Sequence, residues 1–273
     1  MKVPNSKRAK NTLVVEFIGA TGVGKSTLIA AVAQFLSAQG FRVCDAEEAI
    51  LACYGLAFLP HPKVRSALTL LLGLPTFGRF FLTREGARLS RLAFGSIGRG
   101  MGSIWTGASL FRNFMKRIGS HFLLERLRDE LEDYDVVIWD EGIVHAAHNL
   151  FVHAGTEPKR EEIEEFGRLV PKPDLLIWVT APTAQSATVL LWRGHSRVRP
   201  TSSAAQAFAE HAQITFEVLS CVGGLRERIY RVDNSVQATD KSGAAIRGRA
   251  CSIGEFLIQQ FHDRCHLSFV IGH

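Results

Sequence analysis

Five short apolar runs recur along the chain, at residues 13–18, 41–44, 134–139, 175–179 and 228–232. Most are near-continuous in Val, Ile, Leu, Phe or Trp, the pattern of strands buried on both faces of a parallel sheet. Between them the apolar positions switch to helical spacing. Residues 26–39 place Leu28, Ile29, Val32, Phe35 and Leu36 on one face, and Gly40 ends the run. Further helices are predicted at 121–132, 144–153, 159–169, 183–193, 204–220 and 252–262. Strands separated by helices imply crossover connections, hence a parallel sheet with helices on both faces. The predicted fold is a three-layer α/β/α domain with a five-stranded sheet, occupying residues 1–273 as one unit.

One stretch departs from this rhythm. Residues 55–120 hold ten lysines and arginines against a single acid, Glu85, and are rich in Leu, Phe and Gly. Their glycines, with Pro60, Pro62 and Pro75, predict several short helices joined by turns. This reads as a basic helical insertion. One reading makes it a cap over an acceptor pocket, with arginines for an anionic substrate. Another makes it a surface module for anionic lipid or nucleic acid. The cap is the preferred expectation. Residues 1–11 read as a loose basic arm, and 234–250, small and polar, as a mobile loop.

Composition narrows the class. With 273 residues, 47% of them hydrophobic, the chain can bury a sizeable core and is not a disordered polymer. The net charge of +6 favours anionic partners. Five scattered cysteines without Cys-x-x-Cys spacing argue against a disulfide or zinc framework and point to a reducing, cytoplasmic setting. Glu16 interrupts the first apolar run, which argues against a cleaved leader. The longest apolar stretch, 67–82, is broken by Gly73, Pro75 and Arg79, short of the roughly 18 residues that a membrane span needs.

The most specific chemistry follows the first strand. Gly19, Ala20, Thr21, Gly22, Val23, Gly24, Lys25, Ser26 and Thr27 fit the phosphate-loop spacing Gly-x-x-x-x-Gly-Lys-Ser. Glycines let the backbone wrap close to phosphates, and successive N–H groups form an anion nest at a helix N-terminus. Lys25 would reach the β- and γ-phosphates, and the Ser26 hydroxyl would ligate Mg²⁺. Asp140 ends the third apolar run, where a carboxylate holds Mg²⁺ directly or through water. Glu141 next to it could orient a water or contact an acceptor.

Asp45, Glu47 and Glu48 follow the second strand, at the carboxyl end where ligands bind in open parallel sheets. Asp45 or Glu47 could accept an acceptor's proton, although acids also favour helix N-termini without any function. The loop at 193–203 carries Arg193, Arg197 and Arg199 beside Gly194, which suits a lid closing over transferring phosphoryl oxygens. His145 stands four residues after Glu141. The order lacks the His-Glu-x-x-His of zinc hydrolases, so acceptor contact or packing is expected there rather than a metal.

Taken in order, these elements resemble the thymidylate kinase and deoxynucleoside kinase group of P-loop kinases. The resemblance covers residues 12–60 and 134–262. It implies the strand order 2-3-1-4-5, lid arginines at Arg193, Arg197 and Arg199, and an adenine-side loop at Asp233, Asn234 and Ser235. It also implies the carboxylate role at Asp45 or Glu47, with ATP and Mg²⁺ as cofactors. The chain departs from the group at Glu141, where an arginine would bind the acceptor, and in its longer, more basic 55–120 stretch. No Asn-Lys-x-Asp motif for guanine is present. The expected activity is an ATP- and Mg²⁺-dependent phosphotransferase acting on a small acceptor. The alternative is an ATPase or nucleotide switch acting on a macromolecule, with Glu141 positioning the hydrolytic water.

Overall fold

The computed structural model describes residues 12–100, 104–195, 197–235 and 243–271. The expected arm at 1–11, Ser196 in the lid and residues 236–242 of the expected loop lie outside the described residues.

Strands β1 (Leu13–Ile18), β2 (Val43–Asp45), β3 (Val136–Asp140), β4 (Leu175–Thr180) and β5 (Ile229–Asp233) form one all-parallel sheet in the order β2-β3-β1-β4-β5. β1 lies at the centre, with Phe17 opposite Asp140 on β3 and Ile177 on β4. That register carries the turns after β1 and β3 to the same edge of the sheet. Side chains alternate across a strand, so β1 feeds two cores. Leu13, Val15 and Phe17 pack with helices α1 (Lys25–Ala38), α8 (Thr183–Arg193), α9 (Ser202–Ser220) and α10 (Ala244–Ile271). Ile18 turns to the other face, and so does Glu16, which is completely buried there.

That other face is covered mainly by α5 (Ile104–Arg126), α6 (Ala146–Phe151) and α7 (Arg160–Leu169). A short helix, α2 (Ala46–Cys53), follows β2. The 55–120 stretch differs from the expected short helices. It forms α3 (Pro62–Phe81) and α4 (Arg84–Gly100) and enters the 23-residue α5. The supposed breakers serve packing instead. Gly73 on α3 and Gly119 on α5 cross so closely that a Cβ on Gly119 would lie 2.5 Å from the Gly73 carbonyl oxygen. Thr76 donates across this crossing to the Gly119 carbonyl at 2.8 Å. Pro75 occupies the exposed side of α3, where tertiary packing overrides its poor propensity. The helix expected at 121–132 is the end of α5 followed by a 3₁₀ turn at Arg128–Glu130. The loop expected through residue 250 instead enters α10 at Ala244.

Candidate active site

β1 ends in a loop that needs unusual backbone. Gly19, Gly22 and Gly24 have φ of 145°, 89° and 86°, values that L side chains rarely adopt. Space forbids side chains as well. A Cβ would lie 2.3 Å from the Val179 carbonyl oxygen at Gly19, and 2.5 Å from Asn234 Nδ2 at Gly24. Among the described residues, the backbone N–H groups from Thr21 to Gly24 donate no hydrogen bond. Four donors thus stand ahead of the α1 N-terminus without a partner among the described residues. Unpaired N–H groups ahead of a helix N-terminus are donors that the acceptor atoms of an anion can fill.

Lys25 is buried beneath the loop and donates to the carbonyls of Gly19 at 3.0 Å and Ala20 at 3.2 Å. An ammonium has three protons, so one remains for a ligand. Burial lowers its pKa, while Glu141 and Asp140 pull it back up. Ser26 opens the first turn of α1 and donates to Asp140 Oδ2 at 3.1 Å. Asp140 Oδ1 is buried with no partner among the described residues. An orphaned carboxylate oxygen beside a hydroxyl is the donor set that a hard divalent cation uses together with phosphate oxygens. These residues therefore fit Mg²⁺ carried in with a nucleotide. Among the described residues no group of three or more His, Cys, Asp or Glu could hold a metal by itself. Thr27 follows on the exposed side of α1, and Val23 is buried under the loop.

Glu141 follows in the left-handed region, at φ 58°. That turn aims its carboxylate back at Arg117 of α5, 3.0 Å away, and at His145 Nε2, 3.6 Å away. Burial would raise its pKa, but Arg117 and Lys25 above all outweigh burial and hold it below the usual carboxylate value. The turn is held from below by Glu16, which accepts from the Val144 N–H at 3.1 Å and the His145 N–H at 2.7 Å.

His145 and His148 stack at 5.2 Å between ring centres, and both are buried. Burial drives both pKa values far down, so both rings are neutral near pH 7. Arg197 donates to His148 Nδ1 at 3.2 Å, which leaves Nε2 carrying the proton. Nε2 points at Thr21 Oγ1, 3.5 Å away. The 193–203 loop is thereby tied to the 19–27 loop through one imidazole. Arg197 also donates to the Asn149 carbonyl and lies over the Phe208 ring. Burial lowers its pKa to about 10.

Two cavities flank this centre. One of about 200 Å³ lies between α2, α5 and the end of β3, and is lined by Glu47, Lys116, Ser120, Asp140 and Glu141 among others. Glu47 is ion-paired with Lys116, which also donates to Ser66. The Ser120 hydroxyl is buried with no partner among the described residues. A second cavity, about 430 Å³, runs from Thr21 past His145 and His148 to Arg197 and Trp105. Asn113 and Glu141 line both.

The residues singled out in the sequence therefore divide. Lys25, Ser26, Thr21, Asp140, Glu141, His145 and Arg197 converge. Arg193 and Arg199 do not. Both are exposed, and neither makes an ion pair among the described residues. The Asp45 carboxylate caps α2 by accepting from the Glu47 and Glu48 N–H groups, and Glu47 rather than Asp45 lines the small cavity. Asn234 donates to the Val23 carbonyl at 2.7 Å and so braces the loop from β5. Asp233 is exposed and turns back on Ser235. Sequence reasoning missed Arg117, Asn113 and Lys116, which only the fold of the insertion brings in. It also missed Glu16, whose signal was a lone charge in an apolar strand.

No protein-family model matches the chain, and no curated protein matches its sequence.

Proposed function

We propose that the chain is an ATP- and Mg²⁺-dependent phosphotransferase that delivers the γ-phosphoryl group to a hydroxyl of a small acceptor. The observation that carries this reading is a bounded cavity beside the phosphate loop, with Glu47 and Lys116 on one wall and Asp140 and Glu141 on another. Hydrolysis needs only space for water. A lined cavity of about 200 Å³ suits part or all of a small molecule.

In this reading the free N–H groups of the loop and Lys25 hold the β- and γ-phosphates. Ser26 and Asp140 would hold the metal, which when bound neutralises charge on the phosphate oxygens. Arg117 and Arg197 supply positive charge around the equatorial oxygens of the transferring group. Glu47 takes the acceptor's proton as its oxygen bonds to phosphorus and the bridging oxygen leaves with ADP. Lys116 fixes the Glu47 carboxylate for that task. The resemblance to nucleoside and nucleotide kinases, the P-loop assignment and the adenine-side role of Asn234 belong to this same reading.

A specific observation favours a second reading, NTP hydrolysis. The left-handed turn at Glu141 sets a carboxylate directly after Asp140 beside Lys25. The test incubates the chain with ATP, Mg²⁺ and panels of nucleosides, nucleotides, sugars and lipid alcohols. Products are read by mass, alongside Glu47→Gln and Glu141→Gln. Phosphotransfer predicts an acceptor-dependent product and a loss of about 10²- to 10⁴-fold in Glu47→Gln, the usual worth of a general base. ATP turnover without any acceptor, abolished in Glu141→Gln and untouched in Glu47→Gln, would sink the proposal.

A further inference from the structure

The outer face of α3 is the feature that phosphoryl transfer leaves unused. A helix of 20 residues spans about 30 Å. Its inner face, with Thr69, Gly73, Thr76 and Phe77, is buried against α5. A soluble helix places polar residues opposite such a face. α3 does not. Val64 is 45% exposed, Leu71 58%, Leu74 40% and, one residue past the helix, Leu82 85%. At 3.6 residues per turn, these positions with Ala67 and Pro75 fall within an arc of about 120°, directly opposite the buried face. They form one continuous aliphatic stripe.

The charge around the stripe is of one sign. Residues 49–84 contain no acid. Lys63 and Arg79 border the stripe on its two sides, and Arg84 follows Leu82. All three are exposed, and none makes an ion pair among the described residues. Singly exposed leucines need no explanation, but a long apolar stripe rimmed by unpaired cations is an interaction surface.

We infer that α3 lies flat on an anionic lipid bilayer, with Leu71, Leu74 and Leu82 in the acyl boundary and Lys63, Arg79 and Arg84 at the headgroups. Amphipathic interfacial helices bind with this combination of apolar area and basic rim. Among the described residues no single helix is long and apolar enough to cross a membrane; only α3 and α4 together pass such a test there, and they are bent by 109°. α4 cannot follow α3 into lipid, because its Leu89, Ala93 and Ile97 are buried in the protein core. The helix therefore lies on the surface rather than spanning it. Two other occupants fit less well. A second copy docked through the same face would bring Lys63, Arg79 and Arg84 against their own equivalents, since a two-fold interface pairs a patch with itself. Nucleic acid would meet an aliphatic surface with few hydrogen-bond donors for its phosphates.

The inference does not rest on the proposed phosphotransfer, and its test uses no nucleotide. The full chain is floated with vesicles of phosphatidylcholine alone and of phosphatidylcholine with phosphatidylglycerol, at low and high salt. Binding is expected to the anionic vesicles only, weakened by salt. Leu71→Glu/Leu82→Glu should abolish it, with unchanged thermal unfolding showing that the fold survives. Arg79→Gln and Arg84→Gln should each weaken binding about fivefold, the ratio given by ~1 kcal/mol per basic residue near a charged membrane. No binding to anionic vesicles, or equal binding by the double variant, overturns the inference. So does a concentration-dependent dimer in light scattering, or RNA or DNA binding, that the Leu71→Glu/Leu82→Glu variant loses.

Discussion

Glu16 sits fully buried in the central strand, and its ionisation should be visible in the stability of the whole chain. Burial raises its carboxyl pKa from an ordinary 4.5 to about 7, although the backbone N–H groups of His145 and Val144 pull it down. In the folded state the group then holds its proton across the interval from 4.5 to 7, where the unfolded chain has already lost it. The folded state binds more protons there, so stability falls as pH rises through the window. The shift is about 2.5 units, and at 1.36 kcal/mol per unit the loss is ~3 kcal/mol. His145 and His148 act in the opposite direction. Their folded pKa values are depressed, so they remove stability as pH falls below about 6.5. A raw pH profile mixes the two contributions, and the difference between wild type and Glu16→Gln separates them. The amide mimics the protonated carboxyl, but its NH₂ faces one of the two N–H groups and leaves that donor unpaired, costing about 1–3 kcal/mol. Urea unfolding at intervals from pH 4.5 to 8 should show the variant less stable by that amount at the acid end. Its deficit should shrink by ~3 kcal/mol and vanish or reverse above pH 7. A difference that stays constant over the window would refute the buried, proton-holding role of Glu16.

Two further outcomes follow from the packing and the lid. Gly119→Val forces a side chain into the Gly73 carbonyl, and overpacking of this kind costs about 1–3 kcal/mol. Calorimetry should show a lowered Tm, whereas Gly78→Ala, with nothing within 4 Å of its added methyl, should leave Tm unchanged or slightly raised. Within the lid, Arg197→Ala should reduce phosphoryl transfer by at least about 10³-fold in steady-state assays, as for an arginine that stabilises the transferring group. Arg193→Ala and Arg199→Ala should stay near wild type, and a large loss in either would show that the lid closes further than the position seen here.

The parts of the fold legible in the sequence are those written locally. β1, the glycine loop and α1 follow one another within 26 residues, and each sets its own pattern of burial, backbone and periodicity. In the 55–120 stretch glycine and proline suggest breaks that the fold does not make. Whether Gly73 breaks a helix or seats one depends on Gly119, 46 residues away, and no local window holds both. The site shows the same division. Asp140 was legible as an acid at the end of an apolar strand. Arg117 was not, because it is one of ten bases in its stretch and only its contact with Glu141 distinguishes it. The three lid arginines were indistinguishable in sequence. Their roles part because α8 ends with Arg193 pointing to solvent, while the loop folds Arg197 back onto His148.

α5 is where the two proposals meet. The same two turns that carry Asn113, Lys116 and Arg117 to the cavities carry Phe114 and Gly119 to the inner face of α3. The stripe on the outer face of α3 is therefore about one helix diameter, ~10 Å, from the cavity wall. The two readings nevertheless stand on separate residues. Leu71 and Leu82 line neither cavity, and Glu47 is not part of the stripe. Loss of flotation with transfer intact, or loss of transfer with flotation intact, therefore assigns each failure to one proposal, and only a defect in α5 itself should remove both.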